Sequence, residues 1–196
     1  LFGGPYITVE AHRYMDRFPF VKSFISEVDL HSALEQLNRI SFSGNKTAAG
    51  IANAKHVQCS IGQTPEPDFS LLPLDLYRNN SKGNLILPYE LTWGCTNRCS
   101  FCTHYLFHKV QEKPDSKFVK EITDLSKRYN TNCFEFCDSS LNNSTGFLEH
   151  FCDEICKSNL DIKWISMIRP DNLSKKLLKK MKLSGCVHLR FGVESF

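Results

Sequence analysis

The sequence predicts an α/β protein in which two stretches of alternating strands and helices flank an irregular stretch. Residues 1–40 show a strand, a glycine turn, a helix, a strand and a helix, which is the pattern of a doubly wound sheet. Residues 87–196 repeat strand, loop and helix, so parallel strands joined by right-handed crossovers are expected. We therefore predict the C-terminal tail of a Rossmann-like domain, followed by the first half of a partial β/α barrel.

The first stretch, residues 1–40, is predicted from turn and cap residues. Gly3 and Gly4 form a turn after what would be a strand. A short helix over residues 9–17 and a strand over residues 21–26 should follow, and Asp29 is expected to cap a second helix. The order of these elements favours the end of a Rossmann-like domain.

Residues 41–86 are interpreted as a linker, because glycine, proline and asparagine interrupt any periodicity there. Its apolar side chains, Phe69, Leu71, Leu72 and Leu76, are expected to fix the linker to the surface of the barrel.

The third stretch, residues 87–196, contains four strand patterns and three helix patterns. The strands are expected over residues 87–93, 133–137, 162–168 and 187–193, and Ser174 should cap the last helix. In the fourth strand Leu189, Phe191 and Val193 alternate with polar residues, so the apolar set should face the helices. The polar residues His188 and Arg190 should then line the barrel interior, with Glu90, Thr92 and Glu135 extending that lining.

Composition limits the classes of function. A formal net charge of +3 does not argue for nucleic-acid binding, and no run approaches the apolar length of a membrane span. Nine cysteines without a signal peptide, in a chain too long for a small disulfide-stapled domain, favour a reducing compartment, so a cytoplasmic location is expected. The chain starts with Leu1 rather than Met and stops at Glu194-Ser195-Phe196, and both ends resemble cuts through structured protein, so a fragment is expected.

The most informative stretch holds three cysteines in a loop after the first barrel strand. Cys95, Cys99 and Cys102 follow Gly94, which ends that strand. Zinc usually takes four protein ligands, whereas an iron–sulfur cluster held by three thiolates keeps one iron open for another ligand. The spacing therefore favours a reactive cluster, and a loop of free cysteines or a partial zinc site is the alternative.

This stretch, Cys95-x-x-x-Cys99-x-Phe101-Cys102, resembles the signature of the radical S-adenosylmethionine superfamily. The resemblance implies that the three thiolates hold a 4Fe-4S cluster whose fourth iron is chelated by the amino and carboxylate groups of S-adenosylmethionine. It also implies that Phe101 packs near the adenine.

Three further motifs resemble that family. The segment Phe134-Glu135-Phe136-Cys137-Asp138 is similar to the family's second-strand motif, and the resemblance places its final Asp138 near the amino group of S-adenosylmethionine. Arg169 begins a segment similar to the Arg-x-Asp motif after the third strand. Glu194 and Ser195 match the Gly-x-Glu-Ser of the fourth strand, and the resemblance implies that both approach the ribose.

The first stretch resembles the cobalamin-binding domain that precedes many radical S-adenosylmethionine enzymes. The resemblance implies that Gly3 and Gly4 lie beside the nucleotide tail of cobalamin. The motif after the last strand of that domain is replaced here by Ser26-Glu27-Val28-Asp29, which departs from the family pattern.

The expected function is reductive cleavage of S-adenosylmethionine to a 5′-deoxyadenosyl radical, with methyl transfer as the outcome where cobalamin takes part. The resemblance implies a reductant such as flavodoxin or ferredoxin and an unknown small-molecule or peptide substrate, with neither nucleic acid nor membrane as partner. The alternatives are a radical enzyme without cobalamin and a non-catalytic zinc- or iron–sulfur-binding module.

The other cysteines of the barrel favour structural roles. Cys152 and Cys156 lie on the apolar stripe of one helix, so both are expected in the core. Cys133 and Cys137 share one strand face and could support an auxiliary cluster, although nothing supplies its other ligands. Cys186 should pack beneath the fourth strand.

Overall fold

The computed structural model describes residues 2–3, 23–25, 50–52, 60–80, 83–102 and 110–193. It divides the chain into two compact units, Leu1–Cys59 and Ser60–Phe196. None of the helices in these ranges combines the length and apolar character that crossing a membrane requires.

The first unit contains a parallel three-stranded sheet, as the α/β prediction requires. Its strands are β1 (Phe2–Gly3), β2 (Ser23–Ile25) and β3 (Gly50–Ala52), in the order β1-β2-β3. Both pairs of neighbours run parallel, and β2 falls within the strand predicted over residues 21–26.

Two details of this unit differ from the sequence-based expectation. Gly3 lies in β1, paired with Ile25, rather than in a turn after a strand. The strand β3 lies within the predicted linker, because a strand of three residues is too short to show an alternating pattern. Gly4 and the two predicted helices of residues 1–40 lie outside the described residues.

The second unit is built around a four-stranded parallel sheet. Its strands and those of a small ribbon are β4 (Ile86–Tyr89), β5 (Thr92–Trp93), β6 (Gln111–Glu112), β7 (Cys133–Phe136), β8 (Lys163–Met167) and β9 (Cys186–Arg190). The sheet order is β4-β7-β8-β9, and β5 and β6 form a separate antiparallel pair. Neighbouring parallel strands that follow one another in sequence order are what a series of β/α units produces.

Four helices are described in this unit. They are α1 (Leu74–Asn80), α2 (Asp115–Tyr129), α3 (Thr145–Lys157) and α4 (Lys175–Leu183). As predicted, Ser174 caps α4, and its Oγ accepts a hydrogen bond of 3.0 Å from the Leu177 amide. Helices α2, α3 and α4 each follow one strand of the sheet, as crossover helices do.

The core lies between one face of the sheet and these three helices. Phe136 of β7, Phe151 of α3 and Trp164 of β8 are buried together, with ring centroids 5.3–5.9 Å apart. Alternate residues of β7 point the other way, so Cys133 and Glu135 are only half-buried. The sheet therefore has one covered face and one open face.

The open face carries part of the polar lining that the sequence predicted. Glu90 and Thr92 were wrongly included, because β4 ends at Tyr89 and Thr92 is buried in the separate β5–β6 pair. Glu135 of β7 and Arg190 of β9 form an ion pair across β8, and His188 is exposed on the same face. A bulge at the start of β9 sets this register. Leu189 packs against the core as predicted.

The apolar set of the fourth strand is only partly helix-facing. Phe191 and Val193 are 43% and 63% exposed, so their predicted burial was wrong. Because β9 ends at Arg190, both residues lie beyond the paired strand.

Residues 60–80 of the predicted linker belong to the second unit, and they contact its core through fewer of the expected side chains than predicted. Phe69 packs edge-on against Tyr129, with centroids 5.6 Å apart, as predicted. Leu71, Leu72 and Leu76 are exposed instead. The Leu72 amide closes a turn on the Phe69 carbonyl, and after this turn Leu74 of α1 packs against the core in their place.

Candidate cofactor site

The cysteine loop begins after β5 and ends at β6, the two strands of the separate antiparallel ribbon. The predicted first strand does not continue to residue 93, because β4 ends at Tyr89 and Thr92 and Trp93 pair with Glu112 and Gln111 instead. Gly94 then turns the chain with a φ of 77°, a conformation that favours glycine. The ribbon is thus a neck that holds together the two ends of the cysteine loop.

A buried ion pair fastens this neck to the core. The Lys113 Nζ lies 3.0 Å from Glu121 Oε2 on α2, and both side chains are about 95% buried or more. The Tyr89 hydroxyl donates to the same oxygen at 2.5 Å, and the Lys113 ammonium lies 4.2 Å from the centre of the Tyr89 ring. The Lys113 amide also donates to the Leu91 carbonyl at 2.9 Å.

The pKa of Glu121 reflects these partners. Burial alone would raise the pKa of this carboxyl group, but hydrogen bonds from Tyr89, Lys113 and Lys117 outweigh burial and hold it below its usual value. Glu121 is therefore charged at neutral pH and balances the buried ammonium of Lys113.

The three loop thiols are half-buried and none is paired in a disulfide. The side-chain Nδ2 of Asn97 lies 3.5 Å from the Cys95 Sγ, and the backbone amide of Cys102 donates to the Cys99 carbonyl at 3.0 Å. Phe101, between Cys99 and Cys102, has 66% of its surface exposed. Its ring is therefore accessible to a ligand at the mouth of the loop.

Within the described parts of the chain, no three Cys, His, Asp or Glu side chains are grouped closely enough to hold a metal ion. The chemistry of the donor set nevertheless fits an iron–sulfur cluster, because such clusters are held by thiolates at short spacings and these three thiols are unpaired. A cation beside one of them suits the negative charge of such a centre.

That cation is Arg169, which follows the end of β8. Its Nη1 lies 3.8 Å from the Cys99 Sγ, and its Nε donates to both carboxylate oxygens of Asp171, at 2.9 and 3.2 Å. The hydrogen bonds with Asp171, and then its charge, raise the pKa of Arg169 above its usual value. The structure thus brings two of the predicted site residues, Arg169 and Cys99, together.

Asp138, at the end of β7, is buried beneath the cysteine loop rather than open to solvent. Its Oδ1 accepts hydrogen bonds from the Leu91 amide at 3.1 Å and from the Thr92 amide and hydroxyl. Burial raises the pKa of Asp138 to about 6, although the Thr92 hydrogen bonds oppose this. Its Oδ2 is buried without a hydrogen-bond partner, so one acceptor is left for a ligand.

Two neighbouring asparagines connect the loop to the Arg169 segment. Asn142 is 6% exposed and bonds the backbone of Arg169 and Asp171. Asn143 donates to the Gly94 carbonyl at 2.9 Å and accepts from the Thr96 amide at 3.4 Å.

These contacts gather most of the described candidate residues at one edge of the sheet. The cysteine loop, Asp138 and Arg169 follow β4, β7 and β8 in turn, and therefore meet at the carboxyl ends of the parallel strands. Glu194 and Ser195, predicted for the ribose, lie outside the described residues, as does Gly4. Gly3 lies in the other unit.

Sequence reasoning missed the two asparagines and the Lys113–Glu121 pair. The signal for Asn142 and Asn143 was their position directly after the strand that ends in Asp138, where functional loops of such a sheet begin. The pair lacks such a signal, because a lysine and a glutamate eight residues apart read as surface charges.

The remaining cysteines divide between the core and the surface. Cys152 and Cys186 are buried as predicted, and burial raises the pKa of the Cys152 thiol to about 12. Cys156 is exposed, so its predicted place in the core was wrong. It lies next to the last residue of α3, where the buried stripe of the helix has ended.

The sequence and the fold were both compared with those of known proteins. No protein-family model matches the chain. An uncharacterised methyltransferase of Pyrococcus horikoshii is 23% identical over 98% of this chain, which spans 44% of that relative's length.

Two solved structures have a similar fold. The radical S-adenosylmethionine methyltransferase TsrM of Kitasatospora setae, with cobalamin and a 4Fe-4S cluster bound, aligns with 97% of this chain and 41% of its own, at a TM-score of 0.68 and 15% identity. The cobalamin-dependent radical enzyme OxsB, with aqua-cobalamin and S-adenosylmethionine bound, aligns with 98% of this chain and 30% of its own, at a TM-score of 0.62 and 17% identity.

The chain therefore shares the α/β fold of these two structures. TsrM is described as a radical S-adenosylmethionine methyltransferase, and OxsB as a cobalamin-dependent S-adenosylmethionine radical enzyme.

Proposed function

We propose that this chain carries the cluster-binding part of a radical S-adenosylmethionine enzyme, in which Cys95, Cys99 and Cys102 hold a 4Fe-4S cluster. The observation that supports this most is the position of the three thiols. They lie on one loop at the carboxyl edge of a parallel sheet, in a fold shared with TsrM, which was solved with such a cluster.

Such a cluster, once reduced, supplies the electron that breaks the C5′–S bond of S-adenosylmethionine, giving methionine and a 5′-deoxyadenosyl radical. The proposed role of this chain's own residues is to bind and orient S-adenosylmethionine. Phe101 offers an exposed ring to the adenine, and the free Oδ2 of Asp138 can accept a hydrogen bond from the amino group. Glu194 and Ser195 are proposed for the ribose hydroxyls.

A second cofactor, cobalamin, is proposed for the first unit. Both structural neighbours were solved with cobalamin bound and align with nearly all of this chain. Methyl transfer is the outcome that this cofactor favours, and the Pyrococcus relative is described as a methyltransferase.

The cluster is tested by anaerobic reconstitution with iron and sulfide. We expect about four irons and four sulfides per chain and broad absorption near ~400 nm, as thiolate-held clusters show. Changing Cys95, Cys99 and Cys102 together to Ala should abolish both signals, because no thiolates would be left in the loop. Iron, sulfide and zinc are measured on the same samples.

The matched control changes Cys133 and Cys137 to Ala. Both lie on the open face of the same sheet, but they are not on the cysteine loop, so the iron content should equal that of the parent. A full cluster in the triple variant would refute the assignment, and stoichiometric zinc with no iron would favour a zinc module instead.

A further inference from the structure

The turn after β7 contacts both walls of the candidate site through two adjacent side chains. Asn142 and Asn143 belong to a short 3-10 turn, Leu141–Asn143. Asn142 bonds the segment that begins at Arg169, and Asn143 bonds the segment that contains Cys95. One turn thus holds two segments that are about seventy residues apart in the sequence and contribute a cation and a thiol.

We propose that Asn142 and Asn143 are positioning residues of the cofactor site. Asn142 holds the Arg169 guanidinium beside Cys99, where its charge raises the reduction potential of the cluster, and Asn143 holds the start of the cysteine loop in place. This inference rests on the proposed function, since it concerns the same cluster.

Both polar atoms of the Asn142 side-chain amide are fully hydrogen-bonded within the protein. Its Nδ2 donates to the carbonyls of Arg169 and Asp171, at 2.9 and 3.2 Å. Its Oδ1 accepts from the Arg169 amide at 2.9 Å and from the Ser140 hydroxyl at 3.0 Å. Because the side chain is buried, any rotation would leave several polar groups unsatisfied. The backbone on both sides of Arg169 is therefore fixed.

A fixed backbone lets Arg169 present its charge in one direction. Asp171 holds the Nε edge of the guanidinium, and the Nη1 is left beside the Cys99 Sγ at 3.8 Å. Reduction adds one negative charge to a cluster, so a cation beside a ligating thiolate stabilises the reduced state. Removing that cation lowers the potential.

Asn143 acts on the other wall. Its two hydrogen bonds, to the Gly94 carbonyl and from the Thr96 amide, lie on either side of Cys95. They fix the backbone at the first ligand but do not touch Arg169. The two asparagines should therefore have separable effects.

The main test is a redox titration of the reconstituted protein, followed by the electron paramagnetic resonance signal of the reduced cluster. In Asn142→Ala, the ratio of reduced to oxidised cluster at a fixed solution potential should fall several-fold. Arg169→Gln should cause a similar fall, and adding Asn142→Ala to Arg169→Gln should change nothing further. An unchanged ratio in Asn142→Ala, or additive effects in the double variant, would overturn the proposal.

A matched control separates positioning from loss of stability. Ser174→Ala removes the cap of α4, which follows the same strand as Arg169 but lies outside the site. It should weaken the fold and leave the potential unchanged; a similar shift from it would overturn the proposal. If Asn142→Ala fails to fold, Asn142→Ser keeps one donor and should give a smaller shift in the same direction.

Asn143→Ala should keep the parental potential and release iron to a chelator faster. Parental release would overturn the role of Asn143.

Amide hydrogen exchange in the metal-free protein supplies a readout without the cluster. Asn142→Ala should accelerate exchange at the Arg169 amide but not at Thr96, and Asn143→Ala should do the reverse. If the parent binds no cluster, the proposed function fails, and so does the proposed effect on potential. The exchange data then decide by themselves whether the asparagines position the two segments.

Discussion

Cysteine side chains in this chain occupy environments that differ over a few residues. Cys152 of α3 is buried in the core with 1% of its surface exposed, whereas Cys156, one helical turn later, is exposed. The sequence placed both on one stripe, since residues four apart share a helix face. The stripe alone could not show that core contact ends at Ile155.

The two thiols should therefore respond differently to truncation. Cys152→Ala should lower the free energy of unfolding by about 1 kcal/mol, because it leaves a small cavity in the core. Cys156→Ala should change it by less than about 0.5 kcal/mol, as exposed substitutions usually do. Denaturant unfolding measures both, and Cys156→Ala is the matched control. A larger loss from Cys156→Ala, or a loss of iron from either variant, would contradict these roles.

The position of Asp138 in the sheet could be predicted from the sequence, but its hydrogen-bond partners could not. Its place after a buried strand indicated the carboxyl edge of the sheet, and the structure puts it there. Its contacts with Leu91 and Thr92 could not be predicted, because they depend on a break in the first strand. That break depends on pairing with β6, which lies across the cysteine loop.

At the scale of elements, the long and periodic segments were the predictable ones. Helix α2 spans Asp115–Tyr129, where apolar residues recur at helical spacing and one face of the helix is buried. The ribbon of β5 and β6 has two residues in each strand, too few for any alternation. Its stability comes from distant contacts that sequence patterns do not show.

The Lys113–Glu121 pair is expected to control the stability of this ribbon. Glu121→Gln should lower the free energy of unfolding by about 3 kcal/mol at neutral pH, because it leaves a buried ammonium without its counter-charge. Glu154→Gln is the control, since Glu154 pairs with the largely exposed Lys157 on the surface of α3. That change should cost less than about 1 kcal/mol.

The same pair predicts a pH dependence. The pKa of Glu121 is lowered in the folded state, so its contribution is complete above the unfolded-state pKa, about 4.3. It is lost as the pH falls through the folded-state value. The difference in unfolding free energy between the parent and Glu121→Gln should therefore shrink as the pH is lowered below about 4. A difference that grows with acidification would contradict the ion pair.

At the scale of the whole molecule, the two units carry separate proposals. The first holds a small parallel sheet, and the second holds the cysteine loop. The alternation of strands and helices was enough to predict the four-stranded sheet of the second unit and one strand, β2, of the first. It could not give the division at Cys59, which lies within a stretch interpreted as linker.

The proposed cobalamin site can be tested by comparing the full chain with a chain that lacks the first unit. The protein should retain aqua-cobalamin through gel filtration in a ratio of about one per chain, measured by its visible absorption. A chain that starts at Ser60 should lose the cobalamin but still take up iron and sulfide, because the cysteine loop lies in the second unit. Cobalamin that stays with the shorter chain, or that fails to bind the parent, would contradict the assignment.

The ribbon of β5 and β6 also affects how the cysteine loop can change in length and sequence during evolution. It keeps the two ends of the loop at the distance of neighbouring strands, whatever lies between Gly94 and Val110. With the ends fixed, doubling the loop length adds only about 0.6 kcal/mol of closure entropy. Insertions could therefore reshape the entrance to the site over evolutionary time while the sheet and its buried charges stay as they are.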